Sequence, residues 1–193
     1  RIVIELKRDA NAQVVLNLLY RYTQLQDTVG IIMLALDNGV PRIMDLKTIL
    51  QRFLEFREDV IRRRTIFDLK KASDRAHVLE GLRRAVDIVD EIIYTIRHTD
   101  GGQAEAKVAI MEKFGFDDPQ ASAIVAFRLG QLAGLEILKI DNELGELRGR
   151  IEEYNDILSN SEHLRRIVKE ELEDIKKRYG DARRTRIEAV SGD

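Results

Sequence analysis

The stretch ILKIDNELGELRGRIEEYNDIL, residues 137–158, decides the fold class of this 193-residue chain. Its apolar residues recur at steps of three and four: Ile137, Ile140, Leu144, Leu147, Ile151, Tyr154 and Leu158. That spacing places them on one stripe of an α-helix, as in the seam of a coiled coil. Ordering the backbone costs about 1–2 kcal/mol per residue, which offsets what burial of a single stripe contributes. The stretch therefore predicts a helix that needs a partner helix along its length.

The partner helix is predicted over residues 45–98, which contain no proline. Asp45 is a typical N-cap, and the turn-forming sequence HTDGG at 98–102 ends the pattern. The first part repeats at seven-residue steps: Leu46, Phe53, Val60 and Phe67. The second part keeps the three-four spacing: Leu79, Leu82, Val86, Val89, Ile93 and Ile96. We expect one helix to about Arg97, although Gly81 interrupts its run of helix-forming residues.

The return arm is predicted over residues 136–179. Ser159 and Glu162 fit a capping box that restarts a helix after residue 158. The apolar stripe of this second helix is Leu164, Val168, Leu172, Ile175 and Tyr179. After it, residues 180–193 are first polar and then resemble a short strand.

Charge favours antiparallel pairing of the two arms. Residues 57–84 carry nine basic and five acidic side chains, a balance of +4, whereas residues 136–178 carry nine and twelve, a balance of −3. Complementary flanks of this kind set the partner and the register more than they add stability. The predicted fold is mainly α: a long antiparallel coiled-coil hairpin with a small helical globular tip and a small α/β patch at the chain ends.

The first 44 residues, together with the last segment, make up the predicted α/β patch. RIVIELK, residues 1–7, alternates apolar and polar side chains and predicts a strand. Asp9 then caps a helix with one apolar stripe: Val14, Val15, Leu18, Leu19, Tyr22 and Leu25. Asn38-Gly39 predicts a hairpin turn within residues 30–44, because both residues accept a positive φ.

The tip, residues 99–135, is predicted to be a small helical bundle. A helix is expected over 103–114, and a second helix starts with Asp118 as N-cap and Pro119 at its first position. The following stretch, QASAIVAFRLGQLAGLE (120–136), is rich in Ala and Gly and apolar on more than one face. Such a helix lies in a large core or at an interface, and the end of a coil offers no large core. We therefore predict that the tip associates with a second copy of the chain. The candidate interface residues are Met111, Phe114, Phe116, Ile124, Phe127, Arg128, Gln131 and Leu132.

Composition and motifs exclude several classes of function. The absence of cysteine excludes disulfide and thiol chemistry and suits a cytosolic protein. No apolar run approaches the ~20 residues of a membrane span. The first residue is Arg1 and not Met, and no signal-peptide pattern follows it, so we expect the chain to be a piece of a longer protein. Three histidines, His77, His98 and His163, have no carboxylate or thiol at metal-ligand spacing. No phosphate-binding glycine motif occurs either. We expect no catalytic, cofactor or metal site.

One basic concentration, Arg62, Arg63 and Arg64, has two interpretations. The run could contact a DNA backbone, in a non-specific and salt-sensitive manner. The favoured alternative is a solvated helix face that pairs with the acidic return arm.

Three segments carry a resemblance to a known family: RIVIELKRDANAQVVLNLLYRYTQLQ, RRRTIFDLKKASDRAHVLEGLRRAVDIVDEII and QASAIVAFRLGQLAGLEILKI. Together they closely resemble the A subunits of bacterial type IIA topoisomerases, that of DNA gyrase more than that of topoisomerase IV. The resemblance covers essentially the whole chain. It departs from the usual pattern at Ala126, where the family often has Asp, at Ala133 for Thr, and at Arg186 for Glu.

The resemblance implies a non-catalytic part of an ATP-dependent enzyme that passes one DNA duplex through a double-strand break in another. It implies the end of a tower domain (1–44 and 180–193), coil arms (45–98 and 136–179) and an exit gate at the tip (99–135). It also implies three partners: a second copy of the same subunit, an ATPase B subunit that uses ATP and Mg, and duplex DNA. RYTQ, residues 21–24, looks like the surroundings of the cleavage tyrosine, but the flanking sequence matches the tower, so packing is the expected role of Tyr22. Periodicity alone also fits a coiled-coil scaffold or tether with a self-associating tip.

Overall fold

The computed structural model describes residues 3–127 and 134–187, the side chains of 134–136 excepted. This part of the chain is mainly α, as predicted. Its elements are α1 (Ala12–Tyr22), β1 (Leu34–Asp37), β2 (Val40–Ile43), α2 (Leu46–Asp87), α3 (Val89–Arg97), α4 (Gln103–Phe114), α5 (Asp118–Val125), α6 (Gly134–Ser159) and α7 (Ser161–Tyr179). The chain divides into two compact units, residues 1–52 and 53–193.

The first unit contains α1 and a two-stranded antiparallel hairpin, in which Leu34 of β1 lies opposite Ile43 of β2. The connection has a positive φ at both central residues, 52° at Asn38 and 81° at Gly39. A two-residue turn with this geometry matches the right-handed twist of the strands it joins. The predicted hairpin is therefore confirmed.

Two predictions for the N-terminal residues are wrong. Residues 3–7 lie outside any strand, because no described segment pairs with their backbone groups. Helix α1 is capped by Asn11 and not by Asp9: Asn11 Oδ1 accepts hydrogen bonds from the amides of Gln13 (3.0 Å) and Val14 (3.4 Å). The cap falls where a side-chain oxygen reaches the free amides of the first turn.

The first unit buries almost no apolar side chain of its own. Met44, 8% exposed, is its one buried residue in the described part of the chain. The exposed apolar residues of the hairpin region include Ile31, Ile32, Leu34, Leu36, Val40 and Ile43. The packed core of the described chain therefore lies in the second unit.

In the second unit, α2 packs antiparallel to α6 and α7. Near its C-terminal end α2 contributes Ala72, Ala76 and Leu79, which pack against Leu144 and Leu147 of α6. Nearer its N-terminal end, a second cluster contains Ile61, Ile157, Leu164 and Val168. From the first cluster to the second, residue numbers fall along α2 and rise along α6 and α7. This confirms the predicted antiparallel hairpin.

The predicted seam of the outbound arm is right at Leu79 but wrong at Leu46 and Phe67 of the seven-residue repeat, whereas that of the return arm is largely right. Leu46 (61% exposed) and Phe67 (68% exposed) from the seven-residue repeat face solvent. The buried residues of α2 are Ile61, Thr65, Ala72, Ala76, Leu79, Gly81 and Ala85, and of these the sequence predicted Leu79. Small residues here let the large side chains of the return arm approach closely. On that arm Leu144 and Leu147 are buried as expected, and Ile157 takes the buried place predicted for Leu158.

Two predicted helix boundaries and one predicted apolar stripe need correction. The outbound helix breaks at Ile88 (φ −119°, ψ 29°), where the amide bonds to Ala85 O, three residues back (3.3 Å). Branched side chains before and after the break lower helix propensity there. On the return arm the cap is Asn160, because the Ser159 hydroxyl donates back to Asn155 O (2.8 Å) and leaves the next turn's amides to Asn160. On α7, Ile175 and Tyr179 are exposed and not on the seam.

Ion pairs join the arms with the predicted polarity. Arg75 makes two bonds to Glu143, Nε to Oε1 (2.7 Å) and Nη2 to Oε2 (2.9 Å). Arg83 Nε lies 3.0 Å from Asp141 Oδ1. Two pairs have the reverse polarity, Arg148 with Glu80 and Arg165 with Glu58. The charge complementarity of the arms is confirmed, and exposed pairs of this kind fix register more than they stabilise.

After α7 the chain has no regular structure through residue 187. The short strand predicted near the C-terminus is therefore absent from the described residues 180–187. Its remaining part, 188–190, lies outside the described residues.

Candidate functional site: the tip bundle

Helices α3, α4 and α5, here called the tip bundle, pack around one apolar cluster. Its buried members are Ala85, Ile92, Ile110, Phe116, Ala121 and Ile124. Ile110 of α4 is fully buried at 0% exposure. Because Ala85 comes from the last turn of α2, the bundle shares its core with the end of the outbound arm.

A tight connection joins α4 to α5. Gly115 ends α4 in the left-handed region (φ 69°), where a residue with a side chain is disfavoured. Asp117 then caps α5, since its Oδ1 accepts a hydrogen bond from the Gln120 amide (3.0 Å). The predicted cap, Asp118, is one residue too late and instead forms an ion pair with Lys107.

Two carboxyl groups of the tip bundle are held ionised by hydrogen bonds. The Gln120 amide, followed by the His77 side chain, lowers the pKa of Asp117. Backbone amides of Glu105 itself and of Gly102 lower the pKa of Glu105. Anions at helix N-termini are also favoured by the helix dipole. Both groups therefore have a capping role, Asp117 at α5 and Glu105 at α4.

The predicted interface residues fall into three sets. Phe116 (3% exposed) and Ile124 (6% exposed) lie in the core of the tip bundle. Met111, Phe114 and Phe127 are half-buried and present part of their surface to solvent. The other three, Arg128, Gln131 and Leu132, lie outside the described residues. Sequence periodicity cannot separate the first set from the second, since core and surface alternate on the same short helices.

An apolar groove of about 250 Å³ opens on the tip bundle beside this core. It is lined by Leu82, Ala85, Val86, Val89, Ile92, Ile93, Ile96, Arg97, Ile124, Val125 and Phe127. Five of the lining residues, Leu82, Val86, Val89, Ile93 and Ile96, were predicted to belong to the arm seam. Leu82 also packs against the return arm, whereas the three that follow the break at Ile88 line the groove together with Ile124 and Val125 of α5.

The three histidines lie at helix ends or against them. His77 Nε2 pairs with Asp117 at the start of α5, and His163 Nδ1 pairs with Asp156 across the α6–α7 junction. His98 follows α3; its ring stacks on Tyr94 with centroids 4.0 Å apart, and its Nδ1 lies 2.8 Å from Tyr94 O. No group of three or more metal-binding side chains occurs among the described residues.

The basic run on α2 is engaged mainly with carboxylates. Arg64 Nη2 lies 2.7 Å from Glu171 Oε1 on the return arm. Arg63 Nε lies 2.9 Å from Asp59 Oδ2, one turn earlier. Arg62 is exposed. Pairing with the acidic return arm thus occurs at Arg64, and a DNA contact stays a prediction.

Tyr22 does not have the packing role expected from its apolar stripe. The residue is 72% exposed at the last position of α1, with Arg21 Cζ 5.5 Å from its ring centre. The stripe fails because the described part of the first unit offers α1 little apolar surface to cover it.

The Arg75–Glu143 pair gives a testable pH dependence. A hydrogen bond from Arg75 lowers the pKa of Glu143. A carboxyl group with a depressed folded pKa stabilises the protein above its unfolded pKa, about 4.3, and this contribution is lost as pH falls through the folded value. Glu143→Gln should therefore cost about 0.2–1 kcal/mol at pH 7, and the difference from the unsubstituted chain should vanish near pH 3 in urea titrations.

The matched control is Glu152→Gln, at an exposed position of the same helix. It should change stability by less than Glu143→Gln at pH 7. A Glu143→Gln deficit that is equally large at pH 3 would show that the loss comes from packing and not from charge.

These features define a coiled-coil hairpin with a helical tip, and comparison with known proteins gives the family. The family model for the A subunit of DNA gyrase and topoisomerase IV matches residues 1–173. The chain belongs to this family.

Curated relatives agree with the family model. The DNA gyrase A subunit of Clostridium acetobutylicum is 50% identical over 193 residues, which is all of this chain and 23% of the relative. The gyrase A subunits of Staphylococcus epidermidis (strain ATCC 12228) and Staphylococcus aureus (strain Mu50) are 48% and 47% identical over 188 residues, 97% of this chain and 21% of each relative. The chain thus spans less than a quarter of the length of these relatives.

Within the part of the chain that the structure describes, no helix combines the length and the apolar character needed to cross a membrane.

Proposed function

We propose that this chain is the non-catalytic coiled-coil and exit-gate portion of a type II DNA topoisomerase, within its A subunit. The family match over residues 1–173, together with an antiparallel hairpin that carries a helical tip, supports this role most directly. The parent enzyme passes one DNA duplex through a transient double-strand break and thereby changes supercoiling. ATP and Mg act through the partner B subunit and through regions outside this chain, which itself supplies no cleavage tyrosine. We place the protein in the cytoplasm, at the nucleoid.

The tip is proposed to bind the tip of a second copy through a two-fold contact. In such a contact the same patch serves on both partners, so it must be self-complementary. Half-buried Met111, Phe114 and Phe127 and the apolar groove beside them supply partly exposed apolar surface. A contact that opens in every cycle should be moderate in size, at or below the ~1,600 Å² typical of specific pairs.

The test is the oligomeric state of the chain in sedimentation velocity. The unsubstituted chain should be a dimer, and Phe127→Asp should be a monomer, because a carboxylate cannot be buried there without a partner. The matched control is Phe67→Asp on the outbound arm, where the ring is 68% exposed and the dimer should persist. Ile124→Asp is unsuitable, since that side chain belongs to the core and its loss would unfold the bundle. An unsubstituted chain that stays monomeric at about 100 µM, well above the micromolar range of moderate interfaces, or a Phe127→Asp dimer, would overturn the proposed contact.

DNA gyrase is proposed over topoisomerase IV as the parent enzyme. The three relatives compared are gyrase proteins at 47–50% identity. The full-length parent protein combined with its B subunit should supercoil relaxed plasmid in the presence of ATP; relaxation or decatenation without supercoiling would favour topoisomerase IV. The alternative of a coiled-coil scaffold or tether without topoisomerase function rested on periodicity alone, and the family match speaks against it.

Contact of Arg62, Arg63 and Arg64 with the DNA backbone remains a proposal for the parent enzyme. Arg62 is the best placed, because it is exposed while the other two lie beside carboxylates. Such a contact would be independent of sequence and would weaken as salt rises. Arg62→Ala should then lower the number of counterions released on DNA binding by about one, as measured from the slope of log affinity against log salt concentration.

A further inference from the structure

Three residues on one face of α2 contact the connection between α4 and α5. His77, Gly81 and Arg84 are spaced at four and three residues, so they lie on the same side of the helix. Opposite them lie residues 114–120, the segment that ends α4 and begins α5. These three residues and this segment are here called the clamp.

His77 makes the first contact of the clamp, through its side chain and through its backbone. Its imidazole Nε2 pairs with Asp117, the N-cap of α5. Its backbone oxygen accepts a hydrogen bond from Gln120 Nε2 (3.0 Å). The side chain and the main chain of one α2 residue thus hold the first turn of α5 at two points.

The second contact is possible because Gly81 has no side chain. A Cβ atom at Gly81 would lie 2.6 Å from Gln120 Cγ and 2.9 Å from Gln120 Cβ, closer than real Cβ atoms approach. Gln120 therefore lies directly on the α2 backbone, and glycine is what permits it. This accounts for the glycine that interrupts the run of helix-forming residues in the sequence.

The third contact is made by Arg84, one turn nearer the tip. Its Nη2 donates a hydrogen bond to Phe114 O (2.8 Å), the last carbonyl of α4. Its guanidinium carbon lies 3.8 Å from the centre of the Phe116 ring, within cation–π range. A cation at this position also satisfies the negative end of the α4 dipole.

The clamp bridges the break in the outbound helix. Ile88 lies four residues beyond Arg84, and the helical hydrogen-bond ladder is interrupted there. Beyond the break, α3 is joined to α4 by the bond from Lys113 Nζ to Thr95 Oγ1 (2.9 Å). The clamp joins α2 to α4, and the Lys113–Thr95 bond joins α4 to α3. These contacts therefore connect the two helices on either side of Ile88.

We propose that Ile88 is a hinge and that the clamp holds it closed, so that release of the clamp lets the tip bundle turn relative to α2. Backbone that lacks regular hydrogen bonds between two helices is where such rotation is absorbed. Three polar contacts, one cation–π contact and one close approach hold the clamp closed. Because Ala85 of α2 belongs to the core of the tip bundle, the turn is limited to an angle that keeps this apolar contact. This inference concerns motion within one chain and does not rest on self-association of the tip.

The test measures the distance between α2 and α4 by pulsed electron spin resonance in the full 193-residue chain. Because the chain has no cysteine, spin labels can be placed at Lys71→Cys and Glu112→Cys, both exposed. The labelled chain is diluted with excess unlabelled chain, so that only distances within one copy are measured, and the unsubstituted background should then give one narrow distance distribution. The double variant His77→Ala/Arg84→Ala should widen it at least twofold. The matched control is Arg75→Ala, which removes a bidentate ion pair between the same helix and Glu143 of α6.

Hydrogen exchange gives an independent readout at the hinge itself. Amides of residues 88–92 should exchange at least tenfold faster in the double variant, whereas His163→Ala, which breaks the other interhelical His–Asp pair, should leave them unchanged. If the double variant loses helicity by circular dichroism, Asp117→Asn serves instead, because asparagine keeps the N-cap and removes only the charge opposite His77. It should widen the distribution by a smaller factor. Unchanged distances and exchange in a folded variant, or equal changes in the controls, would overturn the hinge.

Discussion

Ile110→Ala is expected to produce the largest loss of stability among conservative substitutions in the tip bundle, about 2–5 kcal/mol. Ile110 is fully buried in α4 and contacts the cluster formed with Ile92, Phe116 and Ile124. Truncation removes apolar contacts and leaves a cavity, and both effects add. Alanine is also a better helix former than isoleucine, so any loss must come from packing and not from helix propensity.

The measurement is urea unfolding followed by circular dichroism, with Val108→Ala as the matched control. Val108 lies two residues earlier on the same helix and is 51% exposed. Its truncation should cost less than about 1 kcal/mol, because little of its apolar surface is buried in the folded chain. Equal losses at the two positions would contradict the assignment of Ile110 to a shared core. A transition that splits into two steps in Ile110→Ala would show that the bundle unfolds separately from the arms.

Glycine-to-alanine substitutions on the two arms are expected to have opposite signs. In a helix interior alanine is favoured over glycine by about 0.5–1 kcal/mol. Gly145 of α6 has no heavy atom within 4 Å of a built Cβ, so Gly145→Ala should stabilise the chain by about that amount. Gly81→Ala should instead destabilise it by about 1–3 kcal/mol, because the new Cβ meets the Gln120 side chain at 2.6 Å.

Comparison of Gly81→Ala with Gly145→Ala tests whether the loss of stability at Gly81 comes from contact with Gln120. Thermal unfolding should shift in opposite directions for the two, and the Gly81→Ala loss should shrink in a Gln120→Ala background, where the obstructing atoms beyond Cβ are gone. Stabilisation by both substitutions would mean that Gln120 moves aside freely and that the close approach carries no energy.

The arms and the hairpin turn were predictable because each depends on local spacing. The three-four repeat around Leu144 and Leu147 places large side chains on one stripe regardless of what lies opposite. Asn38-Gly39 likewise permits a turn that most residue pairs cannot form. Charge balance added the direction of pairing, and the Arg75–Glu143 pair bears it out.

Apart from Leu79, the outbound seam could not be predicted, because hydrophobicity favours the largest apolar residues and this seam also uses small ones. Ala72 and Ala76 are buried where the helices approach closely, while Phe67 is left in solvent. The choice depends on the size of the residues opposite, which lie far away along the chain. The buried residues of the outbound arm are regularly spaced, but Thr65, Ala72 and Ala76 are too weakly apolar to stand out in the sequence beside the larger side chains.

The apolar character of the tip was predictable from composition, but the side chains that line its groove were not, and its role as a contact between copies stays a prediction. Composition indicated an apolar end to the hairpin, and an apolar groove lies there. Whether Phe116 or Phe127 faces inward depends on the angle between α4 and α5. That angle is set by Gly115 and by the contacts of Gln120 with α2, which no sequence window contains.

One carboxylate on the return arm has a mechanical consequence. Glu171 holds Arg57 through Oε2 (2.5 Å) and Arg64 through Oε1 (2.7 Å), two positions seven residues apart. A slip of one heptad would place Glu171 between Arg64 and Lys71 and would still satisfy it, but Glu143 would then exchange its guanidinium for Leu82. Glu171 alone would tolerate such a slip, whereas Glu143 would lose its partner, so the Arg75–Glu143 pair opposes the slip that Glu171 permits. Tension applied at one end of the paired helices is then transmitted along them without a change of register.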